Sequence, residues 1–184
     1  MGNKALFIRK QAADYVTSRL FSDVTPPGPS RAVRLVSWEP PPHGWVKINT
    51  YEAVQDGRAS AGGVIWDSDG MWLGGFMHFI GICTVPMAEL WGIVTGLSLA
   101  WSLGYRRVCL ETDSQVAILL LHKPIDRSHP LSSLVTLVKG FLGRDWLCQA
   151  RHVFREANSV ADALASFAFS FPLGLSFQIG RAHV

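Results

Sequence analysis

Charge is scarce in this chain: 17% of its 184 residues are Asp, Glu, Lys or Arg, against 48% hydrophobic residues and seven Trp. That balance excludes a mostly disordered polymer, which needs high charge and few apolar side chains to stay solvated. Cysteine is scarce too. Cys83, Cys109 and Cys148 are widely spaced and contain no CxxC pair, which argues against a disulfide framework or a zinc site and favours buried free thiols in a reducing compartment. A long unbroken apolar run is missing, because Leu164 to Ile179 is interrupted by Pro172 and several Ser. The chain is therefore read as soluble, without a membrane partner. No GxGxxG precedes a helix, since Gly62-Gly63 and Gly74-Gly75 lie inside or between strands, which disfavours a dinucleotide-binding fold.

Positive charge is also lacking where it would be most informative. The formal +3 comes entirely from residues 1–44, where Lys4, Arg9, Lys10, Arg19, Arg31 and Arg34 face only Asp14, Asp23 and Glu39. The remainder carries eleven charges of each sign. Any phosphate-binding face must then come from local clustering, not from net charge.

What is present is one domain's worth of patterned sequence behind an extension. Thr25-Pro26-Pro27-Gly28-Pro29-Ser30 and Pro40-Pro41-Pro42 favour extended, poorly packed chain. Residues 1–44 are accordingly assigned to a largely disordered N-terminal extension and linker, 45–175 to the folded domain and 176–184 to a C-terminal tail. Leu6, Phe7, Ile8, Val16 and Leu20 among basic residues make the first twenty positions amphipathic, which suits a short helix or, as the alternative, an organelle-targeting peptide. The compartment stays open between nucleus, cytoplasm and such an organelle. A monomer is expected.

Within the domain, Val46, Ile48 and Thr50 alternate with Lys47, Asn49 and Tyr51 at the period of a strand that ends close to Tyr51, and Asp56-Gly57 marks a turn. Ala61–Trp66 and Trp72–Phe79, joined by Asp67-Ser68-Asp69-Gly70, complete an antiparallel meander. Pro86 opens a helix along Met87, Leu90, Trp91, Val94, Leu97 and Trp101, which Gly104 stops. A strand over 107–112, helices over 114–121 and 131–142, a strand over 146–154 and a last helix capped by Asn158 follow. The order predicts an α/β fold with a mixed five-stranded sheet, in which strands 1, 4 and 5 are parallel. Trp66, Trp72, Trp91, Trp101 and Trp146 fall on apolar faces and are read as core.

Open α/β sheets bind ligands beyond the carboxyl ends of parallel strands. Glu89, Asp113 and Asp162 are placed to meet there, with Tyr51 beside them. Each acid has a local structural explanation as well, because negative charge suits helix N-termini and Asp can cap the turn after a strand. Clustered carboxylates repel, and a divalent cation with hard oxygen ligands is the usual remedy.

Ala88-Glu89-Leu90, Thr112-Asp113-Ser114-Gln115 and Asn158 followed by Ala161-Asp162-Ala163-Leu164-Ala165, in that order and spacing, closely resemble the ribonuclease H type 1 family, in particular the retroelement-derived, reverse-transcriptase-like ribonuclease H domains of plants. The resemblance covers roughly 135 residues, from Trp38-Glu39-Pro40 to about Leu175. It implies a ribonuclease H-like fold and hydrolysis of the RNA strand of RNA/DNA hybrids with two Mg²⁺ (or Mn²⁺) ions held by four carboxylates. Three of the four map to Glu89, Asp113 and Asp162. His152 maps to a histidine that assists proton transfer or product release, and Ser114, Gln115 and Asn158 to positions that contact the hybrid or order the site. Arg155 and Arg151 are candidate phosphate contacts.

The departure is at strand one, where the family pattern Asn-Thr-Asp-Gly reads Asn49-Thr50-Tyr51-Glu52. A neutral phenol with a pKa near 10 does not replace a bridging carboxylate at pH 7. Glu52 points to the opposite strand face unless a bulge intervenes, and Asp56 reaches back only if its loop folds over the site. Three functions follow: a hybrid ribonuclease with reduced activity, a hybrid- or RNA-binding module without turnover, or a retroelement remnant acting through protein interaction.

Overall fold

The computed structural model describes residues 38–180, together with Lys10 and Asp14; the expectations for residues 1–37 lie outside the described residues. The elements run β1 (Val46–Gln55), β2 (Arg58–Trp66), β3 (Trp72–Gly81), α1 (Val85–Ser102), β4 (Arg107–Thr112), α2 (Gln115–His122), α3 (Ser132–Leu142) and β5 (Leu147–His152). A 3-10 turn (Arg155–Asn158), α4 (Ser159–Ala168) and β6 (Gly174–Ile179) complete the order. The strands form one sheet, β5-β4-β1-β2-β3-β6. β1, β4 and β5 are parallel, and β1, β2, β3 and β6 run antiparallel in turn. This is the mixed sheet that the element order predicts.

Two faces follow from the alternation of β1. Val46 and Ile48 pack under α1 with Leu90, Ile93 and Leu97, and α3 joins that layer through Val135, Val138 and Phe141. Asn49 and Tyr51 face the other way, toward Val160, Ala161 and Ala165 of α4. Trp66 is buried, and Trp72, Trp91, Trp101 and Trp146 are half-buried against one core or the other, as their spacing predicts. Cys109 is buried and Cys83 and Cys148 half-buried, all as free thiols. Among the described residues no helix is long and apolar enough to cross a membrane.

β2 begins three residues earlier than the sequence reading has it, at Arg58, β3 ends two later, at Gly81, and β5 ends two earlier, at His152; two further differences are larger. β1 does not end near Tyr51 but runs four residues farther, because antiparallel pairing to β2 continues through Gln55↔Arg58 up to the turn. Asp56 and Gly57 take φ of 50° and 74° there, the left-handed pair that a two-residue hairpin turn demands. The sheet also has six strands where five were expected. Ser176–Ile179, assigned from sequence to the tail, forms the end of β6, paired to β3 from Met77↔Ser176 to Gly74↔Ile179. Leu175, Phe177 and Ile179 alternate as a strand should, but they stay largely exposed, so the burial that usually accompanies such a row is missing.

The contact that fixes α4 is made by a glycine. A Cβ on Gly62 would lie 2.3 Å from the Ala165 nitrogen and 2.5 Å from the Ala161 carbonyl oxygen, so the α4 backbone rests directly on β2. Gly62 is the cross-strand partner of Tyr51. Gly62→Ala should therefore push α4 off the sheet and lower unfolding stability by about 1–3 kcal/mol, the usual range for overpacking. Denaturant titration of this variant checks that value.

Candidate functional site

A crevice opens where β4 stops and β1 does not. Their pairing ends at Thr50↔Thr112, which leaves Tyr51 as the first β1 residue without a β4 partner and Asp113 as the first residue beyond β4. Glu89 is the fifth residue of α1, and Asp162 lies in the first turn of α4. Each expected acid thus reaches the rim of one crevice from a different element.

The acids separate into two groups. On the α1 side, Glu89 Oε2 accepts a short hydrogen bond from Ser114 Oγ, and that hydroxyl accepts from the Ala117 backbone N–H at 3.0 Å as the N-cap of α2. One buried serine therefore ties Glu89 to the start of α2. Glu52 lies on this side as well, and the β1–β2 pairing runs past it without a bulge. Its carboxyl is pushed up to about 8, first by burial and then by the charges of Glu89 and Asp113. Glu89 and Asp113 are shifted upward too, chiefly by burial. Asp113 Oδ1 is buried without a hydrogen-bond partner.

On the α4 side, Tyr51 is 8% exposed and packs on Ala161 and Ala165. The Arg155 guanidinium carbon lies 5.0 Å from the centre of the Tyr51 ring, and Arg155 Nη2 donates to Asp162 Oδ2 at 3.2 Å. Ser166 Oγ donates weakly to Asp162 Oδ1 at 3.4 Å. A cation over an aromatic face is a favourable arrangement, and this exposed guanidinium also pairs with the Asp162 carboxylate. The Tyr51 hydroxyl is pushed up to about 12, mainly by burial and next by the Asp162 charge. At neutral pH it supplies no anionic oxygen.

The other expected site residues divide by exposure. His152 ends β5, and its Nε2 lies 3.1 Å from the Asp113 carbonyl oxygen; since a carbonyl only accepts, Nε2 carries the proton. Asn158 sits at the N-cap position of α4 but does not cap it. Its Nδ2 donates to the Thr50 carbonyl at 2.6 Å, tying the start of α4 to β1 at the residue before Tyr51. Ser114 and Asn158 are buried, whereas Gln115 and Arg155 are exposed. Asp56 lies in the exposed hairpin turn, five strand residues or about 17 Å from Tyr51, and does not fold back.

These residues do not fit two divalent ions bridged by a strand-one carboxylate. Tyr51 is neutral, Asp162 is engaged by Arg155, and among the described residues no group of three or more His, Cys, Asp or Glu is arranged to hold one ion.

A buried polar network next to the crevice escaped the sequence reading. Glu111 accepts from Asn49 Nδ2 at 2.9 Å and from Arg151 Nε at 2.9 Å, and pairs with Lys47 Nζ at 2.8 Å. Trp38 Nε1 in turn donates to Asn49 Oδ1 at 3.0 Å. Arg151, a candidate phosphate contact from sequence, is thus held by Glu111. The available signal was charge at strand positions that alternation buries: Lys47 is 1% and Glu111 2% exposed.

Residues 49–168 match the family described as reverse transcriptase-like. A putative ribonuclease H protein of Arabidopsis thaliana is 51% identical over 152 residues, which cover 81% of this chain and 24% of that relative. The chain therefore spans about a quarter of that relative's length. Among solved structures, ribonuclease H1 of the halophilic archaeon Halobacterium salinarum is 26% identical with a TM-score of 0.64, covering 68% of this chain and 98% of the other. LC11 ribonuclease H1, solved with an RNA/DNA hybrid, is 22% identical with a TM-score of 0.58, covering 65% and 92%.

The raised Glu52 carboxyl sets a pH dependence. Between an ordinary value near 4.5 and its folded value of about 8, the folded chain holds more protons than the unfolded one. Stability from this group is fully present below about pH 4.5 and is lost as pH rises through about 8. Glu89 and Asp113 act in the same direction. Glu52→Gln removes the main titration: its melting temperature should match the parent near pH 5 and exceed it by several degrees near pH 9. Parallel melting profiles for the two proteins across that range would contradict the assignment.

Proposed function

Because the chain belongs to the reverse-transcriptase-like family of ribonuclease H domains, we propose that it binds RNA/DNA hybrids and that cleavage of the RNA strand is strongly reduced at Tyr51. The observation that carries the reading is the seating of Tyr51 between α4 and the Arg155 guanidinium. A neutral ring, with an exposed cation over it, stands where hydrolysis by this family would require a bridging carboxylate. Electrostatic stabilisation by metal commonly contributes more than any other effect to such a reaction, so its loss falls on turnover first. Affinity of the Glu89–Asp113 side for Mg²⁺ or Mn²⁺ is correspondingly weak.

Binding has different requirements. A hybrid is recognised through minor-groove shape, 2′-hydroxyls and phosphates along a broad face, and none of those contacts needs an ionised group at position 51. The solved complex of LC11 ribonuclease H1 with a hybrid supports carrying this mode over. Gln115 and Arg155, both exposed at the rim, are the proposed contacts, while the buried Ser114 and Asn158 hold Glu89 and β1 in place. His152 keeps the end of β5 against Asp113.

Gel-shift titration should show tighter binding to hybrid than to duplex DNA of the same sequence, weakening steeply between about 50 and 200 mM salt. The labelled RNA strand should be cut, with Mg²⁺ or Mn²⁺, no more than a few-fold faster than by the Asp113→Asn variant. Absence of salt-sensitive hybrid binding at micromolar protein would remove the binding proposal, and cleavage far above that variant would remove the claim about Tyr51.

A further inference from the structure

α1 and β6 form the two walls of an apolar groove of about 400 Å³, with Phe76 and His78 of β3 between them. Its shape follows from unequal side chains. Along α1, Thr95, Ser98 and Ser102 recur at the helical period on the groove side, and all three are short. On the sheet, Gly74 brings no side chain opposite Ile179, while Leu175 and Phe177 line the other wall and are 49% and 60% exposed. Few polar atoms are open to a ligand. Thr95 Oγ1 donates to the Trp91 carbonyl at 2.7 Å, and Ser102 Oγ to the Leu99 carbonyl at 2.8 Å. His78 Nδ1 lies 3.5 Å from Thr95 Oγ1, and since that hydroxyl has already given its proton to Trp91, Nδ1 carries the proton of the ring. Burial pushes the imidazole below its ordinary range, so it stays neutral near pH 7 and Nε2 is left as an acceptor. Among the described residues no Asp, Glu, Lys or Arg lines the groove, so an ionised occupant would lose its hydration without meeting a counter-charge.

We propose that the groove is a binding site for a small, uncharged, flat aromatic molecule with one N–H or O–H donor, which it gives to His78 Nε2. The volume suits such a ligand, because small-molecule clefts measure roughly 300–1,000 Å³. Phe76, Trp91 and Phe177 supply aromatic faces and edges on which a planar ring can stack or pack edge-on. A peptide strand fits badly. It brings an amide and a carbonyl with each residue, whereas the main chain of both walls is already paired, within α1 and between β3 and β6. A phosphate or carboxylate ligand meets no cation there. One donor matched to one acceptor leaves neither unsatisfied. The site uses no ionised group of the crevice and goes beyond hybrid binding, so the two readings fail separately.

Indole is a suitable probe, being planar, neutral and equipped with a single N–H. Calorimetric titration of the full chain with indole should show one saturable site with a dissociation constant below about 1 mM. N-methylindole, which lacks the donor, should bind the parent at least about fivefold more weakly, because Nε2 is then covered without a partner. His78→Leu should abolish that preference. Ser98 is exposed on the groove side of α1, so Ser98→Phe should fill the groove, melt like the parent and weaken indole binding at least about tenfold. Unsaturable uptake of indole, equal affinity of the parent for both probes, or a folded Ser98→Phe variant that binds like the parent would each overturn the proposal. So would a concentration-dependent dimer that Ser98→Phe dissociates, which would give the groove to a second copy of the chain.

Discussion

The backbone-to-backbone contact of α4 with β2 at Gly62 positions most of what gives this crevice its character. A helix normally stands off a sheet by the depth of its side chains, but Gly62 on one side and Ala161 and Ala165 on the other bring this one down onto the strands. Asp162 is thereby carried to the end of β1, and Asn158 comes within hydrogen-bond reach of the Thr50 carbonyl. The same closeness buries Tyr51. Its ring fills the small space left between β1 and α4, which accounts for both its low exposure and its raised pKa.

Two electrostatic environments result, one on each side of the crevice. Toward α4, Arg155 neutralises Asp162 and covers the Tyr51 ring. Toward α1, Glu52, Glu89 and Asp113 crowd together with their carboxyls raised, and a buried Asp113 oxygen lacks any partner. The raised carboxyls therefore gather on the α1 side, while the α4 side presents a neutral ring and an ion pair. The Glu111 network beneath is separately satisfied by Lys47, Arg151 and Asn49, so it supports the strands without adding to that imbalance.

Much of this was legible from residues alone, where a local pattern and its tertiary role coincide. The β1 alternation, the Asp56-Gly57 turn, Pro86 and Gly104 around α1, and the apolar positions of the tryptophans all read correctly, because burial follows directly from their spacing. Asn158 was legible as the N-cap residue of α4 but not in its side-chain partner: N-cap preference is local, and the Thr50 carbonyl that wins its side chain lies 108 residues away. The opposite orientation of Glu52 was legible, but not that the opposite face holds Glu89, since that depends on where α1 crosses. β6 was missed because an exposed edge row lacks the contrast between buried and solvated positions that marks a strand.

On the proposed reading, Tyr51 is what separates this domain from the reaction of its family, with the rest of the crevice still competent. The decisive measurement is cleavage of a labelled RNA/DNA hybrid by the Tyr51→Asp, Glu52→Gly double variant in Mg²⁺. RNA cleavage at least about a hundredfold above the parent protein is expected, because a major electrostatic contribution is restored. A double variant that folds, binds hybrid and still cuts no faster than the parent would show that Tyr51 is not the cause.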